Sequence, residues 1–143
     1  VGLKVLTIGT FGVPHIGHAA FLQRCAELGS LVVGVNSDEF VERYKGARPL
    51  YDEQERMALI ESLGYEVKIN RSAGRALIEL VRPDILTIGT DWARRDYFAQ
   101  IDVDQNFMDE RGITMAYVPM RPAGISTTDL VRRSRGEHDG NHP

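Results

Sequence analysis

The chain contains a single cysteine, Cys25, in 143 residues, which excludes an intramolecular disulfide and a cysteine metal cluster. The segment Leu22-Gln23-Arg24-Cys25-Ala26 has a half-apolar helical pattern that predicts a buried, inert thiol. No apolar run approaches the ~20 residues of a membrane span. The opening residues Val1-Gly2-Leu3-Lys4-Val5 lack the charged-then-apolar layout of a secretory signal. A cytoplasmic location with no membrane partner is therefore expected. Basic charge is not in excess either: 17 Lys and Arg stand against 20 Asp and Glu, a formal net charge of −3. That balance argues against a nucleic-acid partner, which usually needs a net basic face, but leaves room for a local basic pocket for phosphates. Internal repeats and low-complexity stretches are absent as well. The length suits one hydrophobic core and is too short for two.

What is present is an alternation of short apolar runs with helical patterns. The runs at residues 3–8, 31–35, 85–88 and 114–118 read as buried strands, with a weaker one at 66–69. Helical patterns fall at 16–28, with Gly29 as its C-terminal cap, and at 38–44. Others fall at 52–63, where Asp52 or Glu53 opens the helix, and at 73–81, 104–111 and 127–135. Residues 90–102 fit neither pattern, and 136–143, with no apolar side chain, reads as a disordered tail behind a domain of residues 1–135. The alternation predicts an α/β, Rossmann-like fold: a doubly wound parallel five-stranded sheet with helices on both faces. Ligands of such folds sit at the carboxyl ends of the strands, near the switch in strand order. The least regular segments follow the first, fourth and fifth strands.

The sharpest motif is Gly9-Thr10-Phe11-Gly12-Val13-Pro14-His15-Ile16-Gly17-His18, which leaves a strand, turns through glycines and enters a helix. A helix start of this kind points free N–H groups and the positive end of the helix dipole at an anion. His15 and His18, three residues apart, project to roughly the same side and can bond the oxygens of one phosphate. The glycine between them, Gly17, permits close approach to the backbone. A zinc half-site is the competing reading of such a pair, but no third or fourth ligand stands nearby. Ser126 and Thr127 are helix-capping types, with Asp129 at capping-box distance from Ser126. Lys45, in the loop Lys45-Gly46-Ala47-Arg48-Pro49, is a flexible cation able to reach a phosphate. Arg48 and Arg56 divide between phosphate contact and ordinary surface pairing. Asp91, after a strand end, can bind ribose hydroxyls or orient a magnesium ion.

His15-Ile16-Gly17-His18 preceded by Gly9-Thr10-Phe11 resembles the HIGH nucleotidyltransferase superfamily, and within it the glycerol-3-phosphate cytidylyltransferase group. Arg121 followed by Gly124-Ile125-Ser126-Thr127-Thr128 is similar to that group's Arg-x-x-Gly-Ile-Ser-Thr-Thr stretch. Asn36-Ser37-Asp38-Glu39-Phe40, the Lys45–Pro49 loop, Glu55-Arg56 and Gly89-Thr90-Asp91-Trp92 extend the resemblance in the expected order over about residues 3–135. The chain departs from the pattern at Gly12, where the family usually has aspartate. It departs again at Leu63-Gly64-Tyr65, where an arginine commonly precedes the aromatic, and at Pro122, where the family has threonine.

The resemblance implies transfer of CMP from CTP to a small phosphorylated acceptor such as glycerol 3-phosphate, with magnesium as cofactor and a homodimer as the assembly. It implies that His15 and His18 stabilise the reacting phosphate and that Lys45 neutralises α-phosphate charge. Arg121, Ser126 and Thr127 would hold the leaving pyrophosphate. Gly9, Thr10, Phe11, Gly17, Arg48, Arg56, Asp91, Gly124, Ile125 and Thr128 complete the expected nucleotide site. No dedicated metal cage is visible in the sequence. The alternatives are an adenylyltransferase using ATP and a sugar phosphate, whose members share the Asn36-Ser37-Asp38 and Lys45-Gly46…Arg48-Pro49 features, and a nucleotide-binding module without catalysis.

Overall fold

The computed structural model describes residues 2–12, 16–89, 98 and 101–119. His15, Asp91, Arg121, the Gly124–Thr128 stretch, the helix expected at 127–135 and the tail at 136–143 lie outside the described residues. Five strands, β1 (Lys4–Gly9), β2 (Ser30–Asn36), β3 (Glu66–Asn70), β4 (Ile85–Gly89) and β5 (Thr114–Val118), form one sheet in the order β3-β2-β1-β4-β5. Every pairing is parallel, with Val5 opposite Leu31 on one side of β1 and opposite Ile85 on the other. Between the strands run α1 (Ile16–Ala26), α2 (Asp38–Lys45), α3 (Glu53–Ser62), α4 (Arg75–Val81) and α5 (Gln105–Glu110). The expected doubly wound fold is thus the observed one.

The two-residue period of the strands divides the core. Val5 and Val33 join Phe21, Leu22 and Cys25 of α1 and Ile60 of α3 on one face. Leu6, Val32 and Leu86 join Leu77, Ile78 and Val81 of α4 and Phe107 and Met108 of α5 on the other. Strands buried on both faces must be apolar at successive positions, which is why the sequence pattern is continuous rather than alternating. β1 is central: the chain continues to β2 and β3 on one side of it and to β4 and β5 on the other.

Local chemistry sets the helix ends that frame the cleft. Ser37 caps α2 by accepting from the Phe40 amide at 3.2 Å, and Gly46 closes it in the left-handed conformation with its N–H on the Glu42 carbonyl. Asp52 caps α3 in a full capping box, accepting from the Glu55 amide at 2.8 Å while Glu55 accepts from the Asp52 amide at 3.2 Å. One expectation needs correction. Gly29 is not the left-handed cap of α1, which ends at Ala26. It is glycine because a Cβ there would collide with the Leu3 carbonyl, which accepts a hydrogen bond from Ser30 at 2.8 Å as the chain enters β2. Burial pushes the Cys25 thiol up to about 11, as expected of an inert core cysteine, although its Sγ lies 3.2 Å from the Thr87 hydroxyl.

Candidate functional site

The cleft opens at the carboxyl ends of β1, β2 and β4, where strand order reverses about β1. Thr7 to Phe11 form its floor and rim, Ile88 and Gly89 one side, and Asn36, Phe40, Tyr44 and Lys45 the other. His18 reaches in from α1. None of the described lining residues is an aspartate or glutamate, while Lys45 and His18 supply the cationic capacity. A phosphate entering this cleft therefore meets no described negative side chain in its wall.

The turn after β1 has a specific build. Phe11 adopts a positive φ of 53°, uncommon for a residue with a side chain, and is buried. Its ring folds back so closely that a Cβ on Gly9 would lie 3.0 Å from Phe11 Cε2. A side chain at position 9 would therefore press on the Phe11 ring, which favours glycine at this reversal. The same ring meets His18 edge-on, with centroids 5.4 Å apart at 71°. This packing fixes the imidazole at the cleft wall on the first turn of α1, beside the buried Gly17. Gly12 has room for a side chain: a Cβ there would meet only Thr10 Cγ2, at 3.7 Å. Space does not exclude the family's aspartate.

Behind the rim lies a network of buried polar groups. Asn70, at the end of β3, donates from Nδ2 to Asn36 Oδ1 at 2.8 Å. Asn36, at the end of β2, donates from Nδ2 to Thr10 Oγ1 at 3.1 Å. Thr10 Oγ1 lies 2.9 Å from the Tyr44 hydroxyl. Beneath these runs Arg56, 1% exposed. Its Nη1 donates to the carbonyls of Thr10 at 2.7 Å and Asn36 at 2.8 Å, and its Nε to the carbonyl of Tyr51 at 2.9 Å. Its Nη2 meets Asp38 Oδ1 at 2.7 Å. Asp38 also accepts from the Glu53 amide through Oδ2 at 3.1 Å, while its own amide donates to Glu53 Oε1 at 3.0 Å. Burial alone would raise the Asp38 carboxyl, but the bonds from Arg56 and the Glu53 amide outweigh it and hold the pKa below its usual value.

These contacts sort the residues expected from sequence. His18, Lys45, Gly9, Thr10 and Phe11 come together in the cleft. Arg56 does not face it: its nitrogens are spent on protein oxygens, so it holds the frame and is a correction to its place in the nucleotide site. Arg48 sits outside the lining, its Nε 2.6 Å from Glu42 with 59% of its side chain exposed. Asn36, Tyr44 and Asn70 were not anticipated as site residues. Asn36 and Asn70 each close a strand with an amide, a signal present in the sequence but as readily read as a strand end. Among the described residues no group of three or more His, Cys, Asp or Glu side chains is arranged to hold a metal. Nor is any helix among them long and apolar enough to cross a membrane.

Comparison with known proteins matches residues 6–133 to the family model described as cytidylyltransferase-like. The bifunctional protein HldE of Syntrophotalea carbinolica is 35% identical over 134 residues, covering 90% of this chain and 26% of that protein. HldE of Helicobacter pylori strain HPAG1 is 41% identical over 140 residues, covering 94% and 28%. The chain thus spans about a quarter of the length of the curated relatives it matches. The crystal structure of a lipopolysaccharide core biosynthesis protein from Thermoplasma volcanium superposes with a TM-score of 0.67 at 30% identity, covering 84% of this chain and 98% of that one.

Proposed function

The chain belongs to the cytidylyltransferase-like family of HIGH-type nucleotidyltransferases, and from that premise we propose that it transfers AMP from ATP to a sugar phosphate, releasing pyrophosphate. The observation that carries the acceptor class is the likeness to the lipopolysaccharide core biosynthesis protein, over 84% of this chain and 98% of that one. A lipopolysaccharide core is built of sugars, and a sugar phosphate is activated for such building by nucleotidyl transfer. The HldE matches and the Asn36-Ser37-Asp38 and Lys45–Pro49 features shared with sugar-phosphate adenylyltransferases support the same choice. CTP with glycerol 3-phosphate, favoured by the Arg121-to-Thr128 stretch, becomes the second reading.

In this mechanism an acceptor phosphate oxygen attacks the α-phosphorus in line as the bond to the bridging oxygen breaks and pyrophosphate leaves. Catalysis is positioning plus charge stabilisation and needs no protein nucleophile. His18, with His15, stabilises the crowded phosphate, and Lys45 neutralises its charge. Arg121, Ser126 and Thr127 hold the pyrophosphate, and Asp91 meets the ribose. Magnesium would supply further charge neutralisation when bound, with Asp91 the residue expected from sequence to orient it. The family resemblance also suggests a homodimer; light scattering at micromolar concentration giving twice the 16.0 kDa chain mass is the expected result. The deciding experiment measures pyrophosphate release from each of the four triphosphates against a panel of sugar 1-phosphates and glycerol 3-phosphate. Turnover with ATP and a sugar 1-phosphate supports the reading. Turnover confined to CTP and glycerol 3-phosphate replaces it.

A further inference from the structure

The hydrogen-bond chain behind the rim has a direction. Asn70 is 1% exposed and Asn36 5% exposed. Because Asn70 Nδ2 occupies Asn36 Oδ1, the amide of Asn36 must present its nitrogen to Thr10. Thr10 Oγ1 therefore accepts on one lone pair and has its own proton to place. The Tyr44 hydroxyl lies 2.9 Å away, and either oxygen can donate to the other; one arrangement has Thr10 donating to Tyr44. With Thr10 donating, the phenol proton of Tyr44 has no described acceptor in the protein.

Tyr44 lies on the cleft wall beside Lys45, whose Nζ is 5.7 Å from the Tyr44 ring centroid, and is packed against Phe40 with centroids 5.0 Å apart. This wall follows β2, on the opposite side of β1 from β4 and β5, after which the segments expected to hold the triphosphate come. We propose that the Tyr44 hydroxyl, held at the end of the relay Asn70–Asn36–Thr10, is a hydrogen-bond donor that positions a phosphate oxygen of the acceptor. The assignment rests on the nucleotidyltransferase reading for the identity of the acceptor, while the place of the Tyr44 hydroxyl at the end of the relay stands without it. Tyr44 is then a specificity residue: it favours an anionic or otherwise strongly accepting oxygen at this wall and gives nothing to an apolar group.

The test uses the whole chain, with α,β-methylene-ATP and glucose 1-phosphate as probes in calorimetry. Tyr44→Phe keeps the ring on Phe40 and removes the hydroxyl; Thr10→Val keeps the β-branch and removes the relay. Glucose 1-phosphate is expected to bind protein saturated with α,β-methylene-ATP about tenfold more weakly in Tyr44→Phe, the loss of one hydrogen bond to a charged oxygen. Thr10→Val should weaken glucose 1-phosphate binding in the same direction, and binding of α,β-methylene-ATP alone should stay within twofold in Tyr44→Phe. Equal loss for both probes would assign Tyr44 to the nucleotide and overturn the proposal, as would unchanged glucose 1-phosphate binding or its absence in the parent. A parent that takes glucose 1-phosphate but no nucleotide rejects the nucleotidyltransferase reading, while a Tyr44→Phe loss in that protein still sustains the Tyr44 assignment.

Discussion

Arg56 offers the clearest test of how this site is built, because a phosphate ligand and a buried frame residue predict opposite results for one substitution. Arg56→Met preserves much of the side-chain volume and removes five donors. It leaves the Asn36 carbonyl and the Asp38 carboxylate without their guanidinium partner, and both residues are buried. Thr10 and Tyr51 are less enclosed, so water can replace Arg56 on their carbonyls. Breaking one side of a buried ion pair costs about 3–5 kcal/mol, and an orphaned buried carbonyl costs about 1–3 kcal/mol. Because the orphaned groups are neighbours, the costs do not add fully, and a total near 4 kcal/mol is expected. Against a total stability of about 5–15 kcal/mol that is a large fraction. With a urea m-value of roughly 2 kcal/mol/M, the unfolding midpoint should fall by about 2 M. The double variant Asp38→Asn with Arg56→Met should recover part of the loss, since no uncompensated charge remains buried. Urea titration followed by circular dichroism, with nucleotide binding measured by calorimetry on the folded fraction, reads both quantities. A midpoint shift below 0.5 M (about 1 kcal/mol at the same slope) together with tenfold weaker nucleotide binding would show that Arg56 serves the ligand, and the frame argument would fail.

Three further outcomes follow from the same geometry. The folded Asp38 carboxyl is depressed, so its stabilising contribution is present above the pKa of the unfolded carboxyl and is lost as pH falls through the folded value. Urea midpoints measured between pH 3 and 7 should fall less steeply at the acid end in Asp38→Asn than in the parent; parallel curves would disprove the linkage. His18→Ala should lower the rate of pyrophosphate release by about 10²–10³-fold with little change in melting, as for loss of one transition-state contact, and undiminished turnover would remove His18 from the mechanism. The Cys25 thiol is raised from 9.0 to about 11, so the stability gained by keeping it neutral is complete below pH 9 and declines as pH rises toward 11. A disulfide thiol reagent at pH 8 should leave the native protein unlabelled and label it one-to-one in urea; rapid native labelling would contradict its burial.

The strand and helix order was legible in the linear chain because each decisive interaction there is local or periodic. Buried parallel strands demand consecutive apolar residues, as in Leu31-Val32-Val33. The Asp52 cap and its Glu55 partner lie three residues apart and need no tertiary context. His18 was legible because its motif follows the end of β1, where such folds bind anions, and Lys45 because its loop pairs a flexible cation with glycine. Arg56 could not be assigned in this way. A cation after an N-terminal helical turn looks the same whether it faces solvent, a phosphate or four protein oxygens. The choice was made by Thr10, Asn36, Tyr51 and Asp38, which come from separate segments and converge only when β1, β2 and α3 pack. Gly29 is similar, since the carbonyl it must avoid belongs to Leu3, 26 positions earlier. Tyr44 owes its orientation to a relay that crosses three strand ends. Periodicity carries one-dimensional information about which face is buried; the direction of a hydrogen bond between strands depends on register, and register is set only when the sheet closes over its core.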